Sequence, residues 1–145
     1  MNNLEKYRPY VLALLRITAA YMFILHGTAK FWEFPISMTG GNGPVGDSMM
    51  IIGGVIEIVG SILLILGLFT RPAAFILSGQ MAFAYFFMHV AGKGNLLFPI
   101  ANGGELALLY SVIFLYFVFS GAGALSLDSS CLLYTSPSPR DYAAS

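Results

Sequence analysis

Four long apolar runs, at about residues 9–31, 47–69, 72–91 and 103–125, constrain this chain more than any other feature. A helix that crosses a bilayer needs about 20 consecutive, mostly apolar residues, and each run meets that length. Strands are excluded because the runs are too long and do not alternate. Only 10% of the residues are charged, and they balance to a net charge of zero. Soluble domains carry about 25% charged residues, so this chain lacks the polar surface to fold in water. The balance of charge also leaves no basic face for nucleic acid. The expected fold is all-α: an integral membrane bundle of four transmembrane helices.

Breakers separate the runs. Pro35 and the GGNGP stretch at 40–44 end the first, Thr70-Arg71-Pro72 ends the second, and GKGN at 92–95 with Pro99 ends the third. Asp47 and Asn102 are expected helix N-caps, and Pro72 sits where a first-turn proline is tolerated. A cleaved signal peptide fits the first run poorly, because Arg16 interrupts its apolar core. The bundle is expected over residues 1–128. From Ser129 the chain reads SSCLLYTSPSPRDYAAS, aperiodic with two Ser-Pro steps, so 129–145 is expected to be a disordered, non-native read-through tail. Cys131, the single cysteine, falls in that tail, which leaves the membrane body without a thiol.

The short loops set the orientation. Lys6, Arg8 and Arg71 lie on one side, and Lys30 and Lys93 on the other, which favours a cytoplasmic N-terminus. At 1.5 Å per residue, His26 and Lys30 then sit near the outer end of the first helix. His89 sits near the outer end of the third, Glu105 in the first turn of the fourth, and Glu57 close to mid-membrane. Arg16 alone lies toward the inner side. Small residues recur every seven positions at Ala13, Ala20 and Gly27, and again at Gly53, Gly60 and Gly67, which marks packing faces. The ionisable groups follow those faces, and Ser78, Ala82, Tyr85 and His89 form one line on the third helix. The polar groups therefore point inward.

Arg16 to Lys30, read as R-x9-H-G-x2-K, resembles the first helix of the DoxX family. GGVIEIVGSILLILGLFTRPAA at 53–74 and NGGELALLY at 102–110 are similar to its second and fourth. This resemblance implies a small four-helix bacterial inner-membrane protein, related to a subunit of thiosulfate:quinone oxidoreductases. It also implies a link to membrane redox systems that handle thiol and oxidative stress.

An ionisable group inside a membrane is a functional candidate by default. Glu57, His26 and His89 are the expected proton-exchanging, catalytic groups. Lys30, Arg16, Glu105 and Tyr85 are expected to bind substrate. Each has a structural alternative: Glu57 in an ion pair with Arg16 or Lys30, Lys30 and Arg16 as snorkelling anchors, Glu105 in a capping box with Asn102. Helical His-x-x-x-His and Glu-x-x-His pairs are absent, so no metal site is expected. GGNGPVG lacks the lysine of a phosphate loop, and haem and nucleotide motifs are absent. The preferred reading is a membrane redox component whose pocket takes a quinone headgroup or a small oxidised sulfur compound. The alternatives are a small proton-coupled transporter and a scaffold for soluble redox proteins. Expected partners are membrane lipid, soluble redox proteins and a second copy in a homodimer.

Overall fold

The structure is a computed structural model that describes residues 4–135. A 3-10 turn at Glu5–Tyr7 leads into α1 (Arg8–Trp32). After a first loop come α2 (Ser48–Leu66) and α3 (Thr70–Phe83). The line of α3 continues through a π-helical stretch, Ala84–Val90, and a last turn, Ala91–Lys93. A one-turn helix at Pro99–Asn102 precedes α4 (Glu105–Ser120), and α5 (Leu127–Thr135) follows. Among the described residues there is no strand, and the fold is an all-α membrane bundle built on α1 to α4.

Three stretches are long and apolar enough to span a membrane: Glu5–Trp32, Ser48–Leu66 and Thr70–Lys93. The fourth run is helical over only the 16 residues of α4. It stops because Gly121 takes φ 76°, ψ −161°, a conformation that only glycine adopts cheaply. The part of the tail that the structure describes begins inside α5, a helix that runs from Leu127 to Thr135. Residues 136–145 of that expected tail lie outside the described residues.

The ends of α2 follow from local chemistry. Asp47 accepts from the Met50 backbone N–H at 3.0 Å, the expected N-cap. Gly67 ends the helix at φ 63°, and Leu68 N–H closes onto Leu63 O at 2.9 Å. These bonds satisfy carbonyls that the helix end leaves free. Asn102 departs from its expected role as a cap. It is fully buried, accepts from Gly104 N–H at 2.7 Å and donates to Asn95 O at 3.2 Å. A glycine turn at Gly103 separates it from α4, so its side chain closes the third loop instead.

α1 packs chiefly on α2, and α3 on α4, with a lighter seam joining α2 to α3. The first interface is close because Gly27 faces Gly54: a Cβ on Gly27 would lie 3.0 Å from the Gly54 carbonyl oxygen. At the second seam, Gly60 admits Leu77. Phe23, Leu64, Leu77, Phe114 and Phe117 fill the centre and are almost fully buried. In lipid, such size matching does the work that water exclusion does in a soluble core.

Candidate functional site

Lys30, in the last turns of α1, and Glu57, in the middle of α2, form a buried ion pair at 2.5 Å. They meet because both backbones are stripped of bulk there. A Cβ on Gly54 would sit 3.3 Å from the lysine stem, so that stem runs across a bare stretch of α2. Gln80 of α3 completes the cluster. Its amide donates to Glu57 Oε1 at 3.2 Å and to the Gly53 carbonyl at 3.1 Å. The carboxylate is thus held from two helices, and the partner that the sequence left open is Lys30. A buried charge kept with its partner is tolerable; the same charge alone is not.

This cluster lies at one side of a pocket of about 560 Å³ built from all four helices. His26, Lys30, Glu57 and His89 line it together. His26 sits on aromatic rings, 6.0 Å from Phe23 and edge-on to Tyr110 at 6.3 Å. Among the described residues, nothing hydrogen-bonds its ring. His89 rides on the π-helical stretch, with Nδ1 3.3 Å from Asn102 O. A π-helical turn inserts a residue into the helix and re-aims the side chains beyond it, and such turns concentrate at functional sites.

The rest of the lining is apolar and soft. Five of the seven methionines, Met38, Met49, Met50, Met81 and Met88, line this pocket. Unbranched thioethers adapt to ligands of varied shape. Buried polar atoms without a partner include Gln80 Oε1 and Tyr110 OH, both on lining residues. Sequence reasoning misses both Gln80 and Tyr110. A lone amide midway along an apolar helix is the available signal for Gln80; a tyrosine among many gives none.

Three expected site residues stand elsewhere. Tyr85 is buried but not part of the lining; its hydroxyl donates to Leu96 O at 2.7 Å and holds the third loop. Glu105 is exposed beside a shallow apolar groove formed with Leu97, Phe98 and Val112. Arg16 is fully buried at the opposite end of the bundle. Its guanidinium donates to Leu64 O, to Ile65 O at 3.0 Å, to Ala122 O at 2.8 Å, to Ala124 O at 3.2 Å and to Leu125 O at 2.8 Å. Two of these carbonyls lie in the last turn of α2, where Leu64 O also accepts from Gly67 N–H, and three in the chain that leaves α4. Arg16 acts as a staple between helix ends. Among the described residues, no group of three His, Cys, Asp or Glu gathers to hold a metal.

Apolar spanning helices around one polar pocket define a small multi-pass membrane protein. The DoxX family model matches residues 11–90, and the chain belongs to that family. It is 83% identical over 129 residues to an uncharacterized protein of Haemophilus influenzae, covering 89% of this chain and 96% of the relative. It is 29% identical to inner membrane protein YphA of Escherichia coli, covering 88% of this chain and 99% of the relative. No solved structure matches it.

Proposed function

We propose that this protein is the membrane-embedded component of a redox system of the bacterial inner membrane, and that its pocket binds a quinone headgroup. The observation that carries this reading is the composition of the pocket. A fixed Lys30–Glu57–Gln80 cluster and two histidines stand in a cavity that is otherwise apolar. Ligand sites of this size are mostly apolar, with a few fixed polar groups that set orientation. Reduction of a quinone takes two electrons and two protons and yields the quinol. In this reading His26 and His89 deliver or accept the protons, because an imidazole nitrogen can both give and take one. Lys30 draws electron density toward one ring oxygen. The electrons come from a soluble redox partner protein.

The inner half of the bundle speaks against the transporter reading. Among the described residues, buried Phe114, Phe117, Leu64 and Leu77 pack between the pocket and the Arg16 staple, and none of them lines the pocket. Purification in mild detergent followed by mass spectrometry of the extracted lipids tests the proposal. The expected result is quinone near one molecule per chain, reduced by His26→Ala in otherwise folded protein. Quinone no richer than in the surrounding membrane extract would overturn it.

A further inference from the structure

Between α2 and α3 the Gln80 side chain bridges to Gly53 O and Glu57, and around that bridge the pocket is bounded on its bilayer side by exposed residues. On α2, Met49, Ile52 and Ile56 form an i, i+3, i+7 stripe; on α3, Ile76, Gln80 and Phe83 form an i, i+4, i+7 stripe facing it. All six line the pocket. Yet Met49 and Ile52 are each 57% exposed, Ile76 is 55% exposed and Phe83 42%. On spanning helices, exposed apolar side chains meet acyl chains. These residues therefore belong to the pocket and to the lipid boundary at once. Between α1 and α4, Phe23 packs against Tyr110 and Phe114 with ring centres 5.0 Å apart.

We infer that the pocket is filled sideways from the membrane. A single-tailed amphiphile enters between α2 and α3, lodges its polar head against Lys30, Glu57 and His26, and leaves its tail in the slot. This deepens the quinone reading and rests on it for the identity of the head, but not for the route. A volume of about 560 Å³ accommodates a ring and a few tail atoms, so a longer tail has to leave through an opening. The open side is apolar, which suits a tail and not a water-borne sulfur anion. Binding selectivity resides in the head. A tail that passes from lipid to methionine and isoleucine leaves one apolar medium for another and gains little, so tail length has little effect on affinity.

The test uses full-length protein in nanodiscs, two benzoquinones with the same ring, one bearing a decyl tail and one without, and a decyl amphiphile with a photoactivatable tail. Ile52→Trp and Ile76→Trp fill the slot from its two sides. The expected result is binding of the tailed quinone weakened at least about fivefold by either variant, the low end of what forcing a group into occupied space costs. The tail-less quinone keeps its affinity. The photolabel should map to residues 49–56 and 76–83 and fade in both variants. If quinones fail to bind the unmodified protein while the label still maps to the slot, the quinone reading falls and the lateral route stands. If quinones bind but the label falls on α1 and α4, or is unchanged in the tryptophan variants as for annular lipid, the route is overturned. It is likewise overturned if Ile52→Trp splits a dimer, which would make the slot an interface between copies.

Discussion

At the scale of single residues, Lys30 and Glu57 are one unit. Removing one partner strands the other in a low-dielectric interior, at a cost of about 3–5 kcal/mol. Lys30→Met and Glu57→Gln should each destabilise the protein by that order, measured by denaturant titration in detergent. The double variant should cost well under the sum of the two. Arg16 should behave differently. Arg16→Lys keeps the charge but loses the fork that reaches five carbonyls, so it should cost about 1–3 kcal/mol while ligand binding in the far pocket is retained. Both cations stand out in the sequence as charges on an apolar helix. Their roles do not, because three of the five carbonyls that Arg16 serves are freed by a helix break at Gly121, and no periodicity announces those contacts. Glu105 shows the converse: a carboxylate at a helix start reads the same whether it faces a pocket or the outside.

Among elements, the junction between α3 and α5 depends on one side chain. Asp128 accepts from Phe69 N–H at 2.8 Å and Thr70 N–H at 2.9 Å, and so caps the start of α3 from a distant segment. Partial burial pushes its carboxyl up, but the N–H donors of Thr70 and Phe69 and the charge of Arg16 outweigh it and hold it below the ordinary value. A depressed carboxylate contributes stability that is complete above its unfolded value, about 3.9, and is lost as pH falls toward the lower folded value. Asp128→Asn should therefore destabilise by about 1 kcal/mol at neutral pH. The gap between wild type and variant should close as a stability series descends below about pH 4. The sequence suggests a domain boundary at this residue, because SSCLL has no helical period. The contact that orders the region spans 58 residues of chain and leaves no local trace.

For the whole molecule, the four apolar segments and their convergence toward one end are legible in the sequence, since length and hydropathy dictate spanning helices. The length of the last helix is not. At 16 residues, α4 reaches about 24 Å, short of a hydrocarbon core of about 30 Å. Non-helical backbone at such depth needs its carbonyls satisfied by protein, and Arg16 does so after Gly121. With a cytoplasmic N-terminus, a reporter fused at Thr70 should be active inside the cell and one fused at Gly94 outside. A reporter active outside at Thr70 would turn the pocket toward the cytoplasm.

With a cytoplasmic N-terminus, the depth of the pocket has an electrical consequence. Glu57 lies about nine residues past the start of α2, roughly 14 Å along the helix and nearly half of the hydrocarbon thickness. In that orientation a proton that moves from the outside to the pocket at this depth crosses nearly half of the membrane potential. At 100 mV, inside negative, that is worth about 1 kcal/mol in favour of its arrival, equivalent to about 0.7 pH unit. In the quinone reading, proton delivery to the bound headgroup should therefore follow the energy state of the cell as well as the pH outside. In proteoliposomes with the N-terminus inside, an inside-negative potassium diffusion potential should shift the pH midpoint of proton uptake during quinone reduction upward by about that amount. A midpoint indifferent to voltage would mean that water already carries the outside potential down to Glu57.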